Sequence, residues 1–353
     1  MKIKLAILEK DTMYLNRLKS VFNVKYADKL EIYSFTDRDI AIRALREKKI
    51  DVFLANETFD IDQTELPGNC GFAYLVDTAD IETIKDTVAV CKFQKAEIIY
   101  RQVLGLFSEK AAAVTGVQIE GEGSRVLAFV SAGGGTGSSV VAAACAMNFA
   151  QKGKKALYLN LEKFGSADVF FHAEGNTGLG DVIYAIKSKK GNLSMKLEST
   201  VKCDTSGVFF YSPTKMALDI AELNADEIQQ IISVLKMSGG YDHIILDLDF
   251  SMDKNTLKIL DECSTIVFVT DGSLVSNVKL ERAVASLNVL EQQTDRKILM
   301  RCGILYNRFG SQTSRKVQID EIKEFGGISR YEGFDIAKLL QQIRVQPVFD
   351  ALE

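Results

Sequence analysis

The segment Phe129-Val130-Ser131-Ala132-Gly133-Gly134-Gly135-Thr136-Gly137-Ser138-Ser139 sets four glycines between an apolar run and an alanine-rich one. A strand entering a helix through such a loop turns backbone N–H groups and the positive end of the helix dipole onto one point, which is how a chain cradles phosphate. Glycine lets the main chain curl closely around the ligand, and Ser139 would offer a hydroxyl to Mg²⁺. The plainer alternative is a tight strand-to-helix turn with no ligand. Four glycines, a strand before and a helix after coincide here, and that favours the phosphate cradle.

The flanking sequence supplies the alternation that such a loop requires. Strands are predicted at Arg125 to Ser131 before the loop, and after it at Ala156 to Leu161, Val208 to Tyr211, His243 to Leu248, Thr265 to Thr270 and Leu299 to Tyr306. Helices such as 226–237 and 276–292 separate them, and this long βα spacing predicts a mostly parallel sheet. Residues 1 to about 100 repeat the theme, with strands at Ile3 to Leu8, Glu31 to Phe35, Asp51 to Ala55, Phe72 to Val76 and Glu97 to Tyr100. Leu15, Leu18, Val21 and Phe22 make one face of a helix, and a second helix from Thr36 through Lys48 takes Thr36 or Asp37 as its N-cap. Strand patterns vanish between about Val103 and Ser124, where Gly121-Glu122-Gly123-Ser124 is a breaker cluster. A chain of 353 residues that is 47% hydrophobic fills two ordinary cores. The expected division is an α/β domain over residues 1–105, a linker over 106–123 and a second α/β domain over 124–353.

A net charge of −4, from 43 basic and 47 acidic residues, carries no electrostatic footprint for a dedicated nucleic-acid or anionic-membrane binder. Six scattered cysteines without a C-x-x-C pair read as reduced, mostly buried small side chains. The opening apolar run soon meets Glu9, Lys10 and Asp11, too early for a signal peptide, and no stretch reaches the length of a membrane span. The chain is therefore expected to be cytoplasmic, with no integral membrane segment.

Two further strand ends carry polar groups. Tyr241-Asp242-His243-Ile244-Ile245-Leu246-Asp247 is a buried strand ending in a carboxylate, suited to hold Mg²⁺ through water, or else a core strand whose last residue happens to be acidic. Ala156-Leu157-Tyr158-Leu159-Asn160-Leu161-Glu162 ends in a carboxylate able to act as a base or to position water, which the amide of Asn160 cannot do, or else both residues simply mark a solvated strand end. His243 reads as an ordinary strand residue. Gly133 and Gly135 also begin a G-x-G-x-x-G with Glu162 ending the next strand, a dinucleotide-binding pattern whose third glycine is here Ser138.

The glycine loop resembles the deviant Walker A loop of MinD/ParA-like ATPases, K-G-G-x-G-K-[ST], and the resemblance implies a P-loop NTPase domain that binds ATP and Mg²⁺. Gly133 stands where that family has its signature lysine, and Ser138 where it has the lysine on the β- and γ-phosphates. Gly134, Gly135, Thr136, Gly137 and Ser139 complete the loop. Both lysines are absent, so the expectation is bound nucleotide with slow or no turnover, with Lys163, Arg308 or another base in partial compensation. The resemblance gives Asp247 the Walker B role and sets Asn160 and Glu162 at the D-x-D pair. It gives Asn307, followed by Arg308, contact with the adenine base. Gly310 stands where a guanine-specific loop has aspartate.

The N-terminal half resembles a response-regulator receiver, a doubly wound, flavodoxin-like fold. Glu9 and Asp11 match its metal-binding acids, Asn56 takes the place of the phosphoacceptor, Thr78 corresponds to the switch hydroxyl, and Tyr100-Arg101 falls where a lysine is expected. An amide cannot accept a phosphoryl group, so the domain is expected to be a pseudo-receiver used for protein contacts. This domain pairing resembles the TadZ/CpaE family of pilus-assembly localisation proteins, as do Tyr331 to Asp335 and Val348 to Asp350. It implies a homodimer at a cell pole that recruits Tad (type IVb) pilus-assembly or secretion proteins, with no specific nucleic acid. Rival readings are an active positioning ATPase, a Rossmann oxidoreductase and a scaffold whose loop is empty.

Overall fold

The computed structural model describes residues 2–81, 83–110, 124–189, 192–238, 240–310 and 314–353. The breaker residues Gly121 to Gly123, with most of the expected linker, lie outside the described residues. The chain divides into two compact units, one of residues 1–116 and 185–200, the other of 117–184 and 201–353.

The first unit is built on β1 (Ile3–Leu8), β2 (Leu30–Phe35), β3 (Val52–Asn56), β4 (Gly71–Val76), β5 (Thr83–Ile84) and β6 (Thr87–Cys91), in the order β2-β1-β3-β4-β6-β5. All pairings are parallel except that of β5 with β6. With two-residue β5 set aside, this is the 2-1-3-4-5 order of a flavodoxin-like sheet, whose sites lie at the carboxyl ends of the strands. Successive β1 side chains point to opposite faces. Ile3, Leu5 and Ile7 accordingly enter one core with Leu15, Leu18 and Phe22 of α1 (Thr12–Lys25), whereas Ala6 and Leu8 enter another with Ala41 and Leu45 of α2 (Arg38–Glu47). Asp11 and Asp37 cap these helices through their side chains.

Glu97 to Tyr100 is not the fifth strand. These residues lie in α3 (Ala96–Lys110), and the fifth parallel strand is β6, ten residues earlier. Ile98-Ile99-Tyr100 reads as strand when taken alone, but Ile99, Tyr100, Val103, Leu104, Leu106 and Phe107 are all buried at helical spacing and bind α3 to the sheet. Residues 106–110, expected to open a linker, are therefore helical. After α6 (Leu179–Ser188), α7 (Leu193–Thr200) packs on α3 as part of this unit. Met195 lies against the α3 core, Gly105 leaves room for Ser199, and Lys29 donates to Glu198 Oε1 at 2.6 Å.

The second unit has β7 (Arg125–Val130), β8 (Ala156–Asn160), β9 (Lys202–Cys203), β10 (Phe209–Phe210), β11 (His243–Asp247), β12 (Thr265–Thr270), β13 (Cys302–Phe309) and β14 (Lys323–Ser329). Their order is β14-β13-β12-β7-β11-β8-β10-β9, parallel except for β9 against β10. The connecting helices are α4 (Ser138–Gln151), α5 (Ala167–Phe170), α8 (Ala217–Ala221), α9 (Ala225–Met237), α10 (Lys254–Asp261), α11 (Leu274–Gln293) and α12 (Ile336–Ile343). Val141 through Phe149 of α4 are all buried, because small alanines admit the helix between the sheet and α12. Cys70, Cys91, Cys145, Cys263 and Cys302 are buried thiols. Among the described residues no helix is long and apolar enough to cross a membrane.

Candidate functional site

In the second unit β7, β11 and β8 lie side by side, so their carboxyl ends gather the polar residues at the mouth of the glycine loop. Asp247 pairs in register with Phe129 on one side and Asn160 on the other. The loop then runs from Ser131 to Gly137, and α4 begins at Ser138. Gly135 (φ +79°) and Gly137 (φ +83°) take the left-handed conformation that only glycine adopts freely. A Cβ on Gly137 would also stand 2.5 Å from Asn307 Nδ2, so that position is closed to any side chain. The loop braces itself internally. Ser131 Oγ donates to Gly133 O at 2.6 Å and accepts from Thr136 Oγ1 at 2.9 Å.

Asn307 and Arg308, at the end of β13, hold the loop from outside. Asn307 Nδ2 donates to Thr136 O at 2.8 Å, and Arg308 Nη1 to Gly135 O at 3.1 Å. Asn307 is buried and spends one of its two Nδ2 hydrogens on the loop. Its observed work is to fix the loop's shape. Arg308, at φ +56°, is exposed and makes no ion pair among the described residues.

The acidic cluster lies at the other flank. Asp247 is fully buried; its Oδ2 accepts from Tyr158 Oη at 2.6 Å and from Asn160 Nδ2 at 2.9 Å, while Oδ1 has no hydrogen-bond partner. Burial first, and the Glu162 carboxylate second, push the Asp247 carboxyl up to about 8. Glu162 is engaged at both oxygens, Oε1 accepting from Ser139 Oγ at 3.1 Å and Oε2 from Asn160 Nδ2 at 3.0 Å. The Ser138 hydroxyl is buried without a partner. A cavity of about 270 Å³ opens beside Glu162, lined also by Asn160, Lys163, Phe164, Tyr211 and Thr214. Lys163 N donates to Asp249 Oδ2 at 3.0 Å, tying together the turns that follow β8 and β11. His243 lies at the opposite end of its strand, stacked near Phe149 with neither ring nitrogen hydrogen-bonded, and burial lowers its pKa.

Gly133 to Ser139, Asn160, Glu162, Asp247, Asn307 and Arg308 are thus neighbours around one loop. Sequence reading passed over Tyr158, although 158, 160 and 162 share one side of an extended chain and that alternation marks it.

The strand ends of the first unit form a second cluster. Glu9 is buried; its Oε2 accepts from Asn56 Nδ2 at 2.8 Å and pairs with Lys92 Nζ at 3.1 Å, and its Oε1 accepts from Asp11 N at 3.0 Å. Lys92 also pairs with Asp77 at 2.7 Å. Burial pulls its ammonium pKa down, but the hydrogen bonds and charges of Asp77 and Glu9 outweigh this and hold it above the usual lysine value. Lys92 directly follows β6, so the lysine expected at Tyr100-Arg101 is here instead. Asp11 is occupied as the cap of α1, and Thr78 is exposed.

Residues 1–108 match the family model described as TadZ-like, receiver domain. The MinC:MinD cell division protein complex of Aquifex aeolicus has a TM-score of 0.50 and 17% identity, covering 65% of this chain and 94% of that one. A ParA family ATPase from Chlorobium tepidum TLS gives a TM-score of 0.49 at 22% identity, covering 65% and 98%. The septum site-determining protein MinD complexed with Mg-ADP from Pyrococcus horikoshii OT3 gives 0.49 at 17%, covering 65% and 96%. No curated protein matches the chain. The chain thus carries a TadZ-like receiver domain over residues 1–108 and, over 65% of its length, the P-loop fold of the MinD/ParA type.

Proposed function

We propose that this protein is an ATP-binding, dimerising localisation scaffold for Tad (type IVb) pilus assembly, with slow or absent hydrolysis. The observation that carries the reading is the glycine loop opening α4 beside a fully buried Asp247 whose Oδ1 lacks a partner. A buried carboxylate without a counter-charge is costly, and a bound cation removes that cost. The residues present fit a Mg²⁺–triphosphate. Main-chain amides of Gly133 to Ser139 would hold phosphate, and Ser139 with Asp247 would hold the metal, Asp247 through water. When bound, Mg²⁺ would neutralise phosphate and carboxylate charge.

Slow turnover follows from what the chain itself supplies. The loop has no lysine, and removing one donor aimed at transition-state charge typically costs about 10²–10³ in rate. Glu162, the candidate base, is tied by one hydrogen bond at each oxygen, from Ser139 Oγ and Asn160 Nδ2, which fixes its orientation. Such a site binds and signals more readily than it cleaves. The TadZ-like receiver domain supports the pilus-related role; in this reading the partners are other pilus-assembly or secretion proteins and the station is polar and cytoplasmic.

The test is calorimetry of the full chain with ATP and Mg²⁺, combined with sizing and a phosphate-release assay. Binding with nucleotide-dependent assembly and little release supports the reading. Absent heat at millimolar ATP rejects it, and fast release points instead to an active positioning ATPase.

A further inference from the structure

The glycine loop carries no basic side chain of its own, yet two reach it from other elements. Arg308 touches it through Gly135 O at 3.1 Å, and its Nη2 would stand 3.5 Å from a Cβ on Gly137. Lys279 of α11 approaches the first glycine. A Cβ on Gly133 would meet Ser276 Oγ at 3.4 Å and the Lys279 Cδ at 3.7 Å. The stem of Lys279 thus runs beside the direction that a side chain at 133 would take. Lys279 makes no hydrogen bond or ion pair among the described residues, and both cations are solvent-exposed. Among the described residues neither is held by a carboxylate, so each is available to an anion.

We propose that Arg308 and Lys279 together supply the positive charge that the loop itself lacks, making a split cationic clamp for the phosphates of a nucleoside triphosphate. This rests on the nucleotide reading above and names the side chains that replace the missing lysines. Arg308 keeps a fixed, planar fork at Gly135, whereas Lys279 brings a mobile point charge from α11. The division also gives Gly133 a reason: a long side chain there would compete with Lys279 for one space.

The experiment measures binding of ATP and AMP with Mg²⁺ to the full chain carrying Arg308→Ala, Arg308→Lys, Lys279→Ala or a control at the opposite end of the sheet, Lys297→Ala, an exposed residue just before β13. Hydrogen bonds to charged groups imply a loss of about 10- to 100-fold in ATP affinity for Arg308→Ala and Lys279→Ala. AMP affinity and the control should change less than about twofold, and Arg308→Lys should recover part of the loss because it keeps the charge. The salt dependence of ATP binding should flatten in both alanine variants. Gly133→Lys should restore affinity in the Lys279→Ala background. Unchanged thermal unfolding would exclude loss of fold; if Arg308→Ala unfolds, Lys279→Ala and the Gly133→Lys rescue still decide. Wild-type binding with alanine variants at wild-type affinity overturns the clamp while leaving the nucleotide reading intact. No binding by the wild type overturns both.

Discussion

Each unit gathers acidic and amide side chains at the carboxyl ends of a parallel sheet, but the two clusters are balanced differently. Around Glu9 the chain supplies its own cation: Lys92 pairs with Glu9 and Asp77, and Asn56 completes the hydrogen bonding. Around Asp247 the described residues supply none, and burial pushes the carboxyl up to about 8. A buried acid can be satisfied by a fixed partner, which freezes the site, or left short of one, which keeps it receptive. The first unit takes the former course and the second the latter.

The largest expected break in this contrast is Lys92→Met. It leaves Glu9 buried beside Asp77 with no counter-charge, and removing one partner of a buried pair costs about 3–5 kcal/mol. Urea unfolding of the full chain measures this; a loss below about 1 kcal/mol would mean that Lys92 is no fixed counter-ion.

Asp247→Asn should act in the opposite sense. The folded-state pKa is raised from 3.8 to about 8, so between those values the native state binds more protons than the unfolded one. Stability from this group is full below the lower value and declines as pH rises through the window. The amide carries no charge to desolvate, so the variant should be more stable by about 1–3 kcal/mol near the top of the window. Its urea midpoint should also vary less with pH than the wild type's. A midpoint that falls as steeply as before would show that the pH dependence arises elsewhere.

A smaller effect, about 1 kcal/mol, is expected for Tyr158→Phe, which removes one neutral donor from Asp247. That hydrogen bond lowers the carboxyl pKa, so its loss should move the Asp247 titration upward, as followed by carboxyl-carbon NMR. A downward move would contradict the hydrogen bond's direction.

How much of this could be read from residues alone depended on distance along the chain. The strands flanking the loop were legible because Arg125 to Val130 and His243 to Asp247 are continuous apolar runs. Thr87 to Cys91 was missed because it is short, follows a turn at Lys85 and Asp86, and lies next to the more conspicuous run in α3. That error displaced the lysine as well, since the place of Lys92 follows from the end of β6. Lys323 to Ser329 contains two glycines and reads as loop. The loop's glycines, Asp247 and Glu162 announced themselves by position at strand ends. Lys279 did not, because it belongs to no motif and only the packing of α11 brings it to Gly133. The engagement of Asn307 with Thr136 is equally long-range and invisible to a one-dimensional pattern.

The path of the chain limits how this protein can be taken apart. Residues 185–200 count with the N-terminal unit although 117–184 and 201–353 count with the other, so the polypeptide changes unit three times. A fragment beginning at Ser124 would carry α7 without α3, leaving Met195 stripped of its apolar cover, and the complementary fragment would bare the matching side of α3. Dissection by a single cut therefore yields two pieces with exposed apolar faces, and their poor solubility would say nothing about the integrity of either half in the intact molecule.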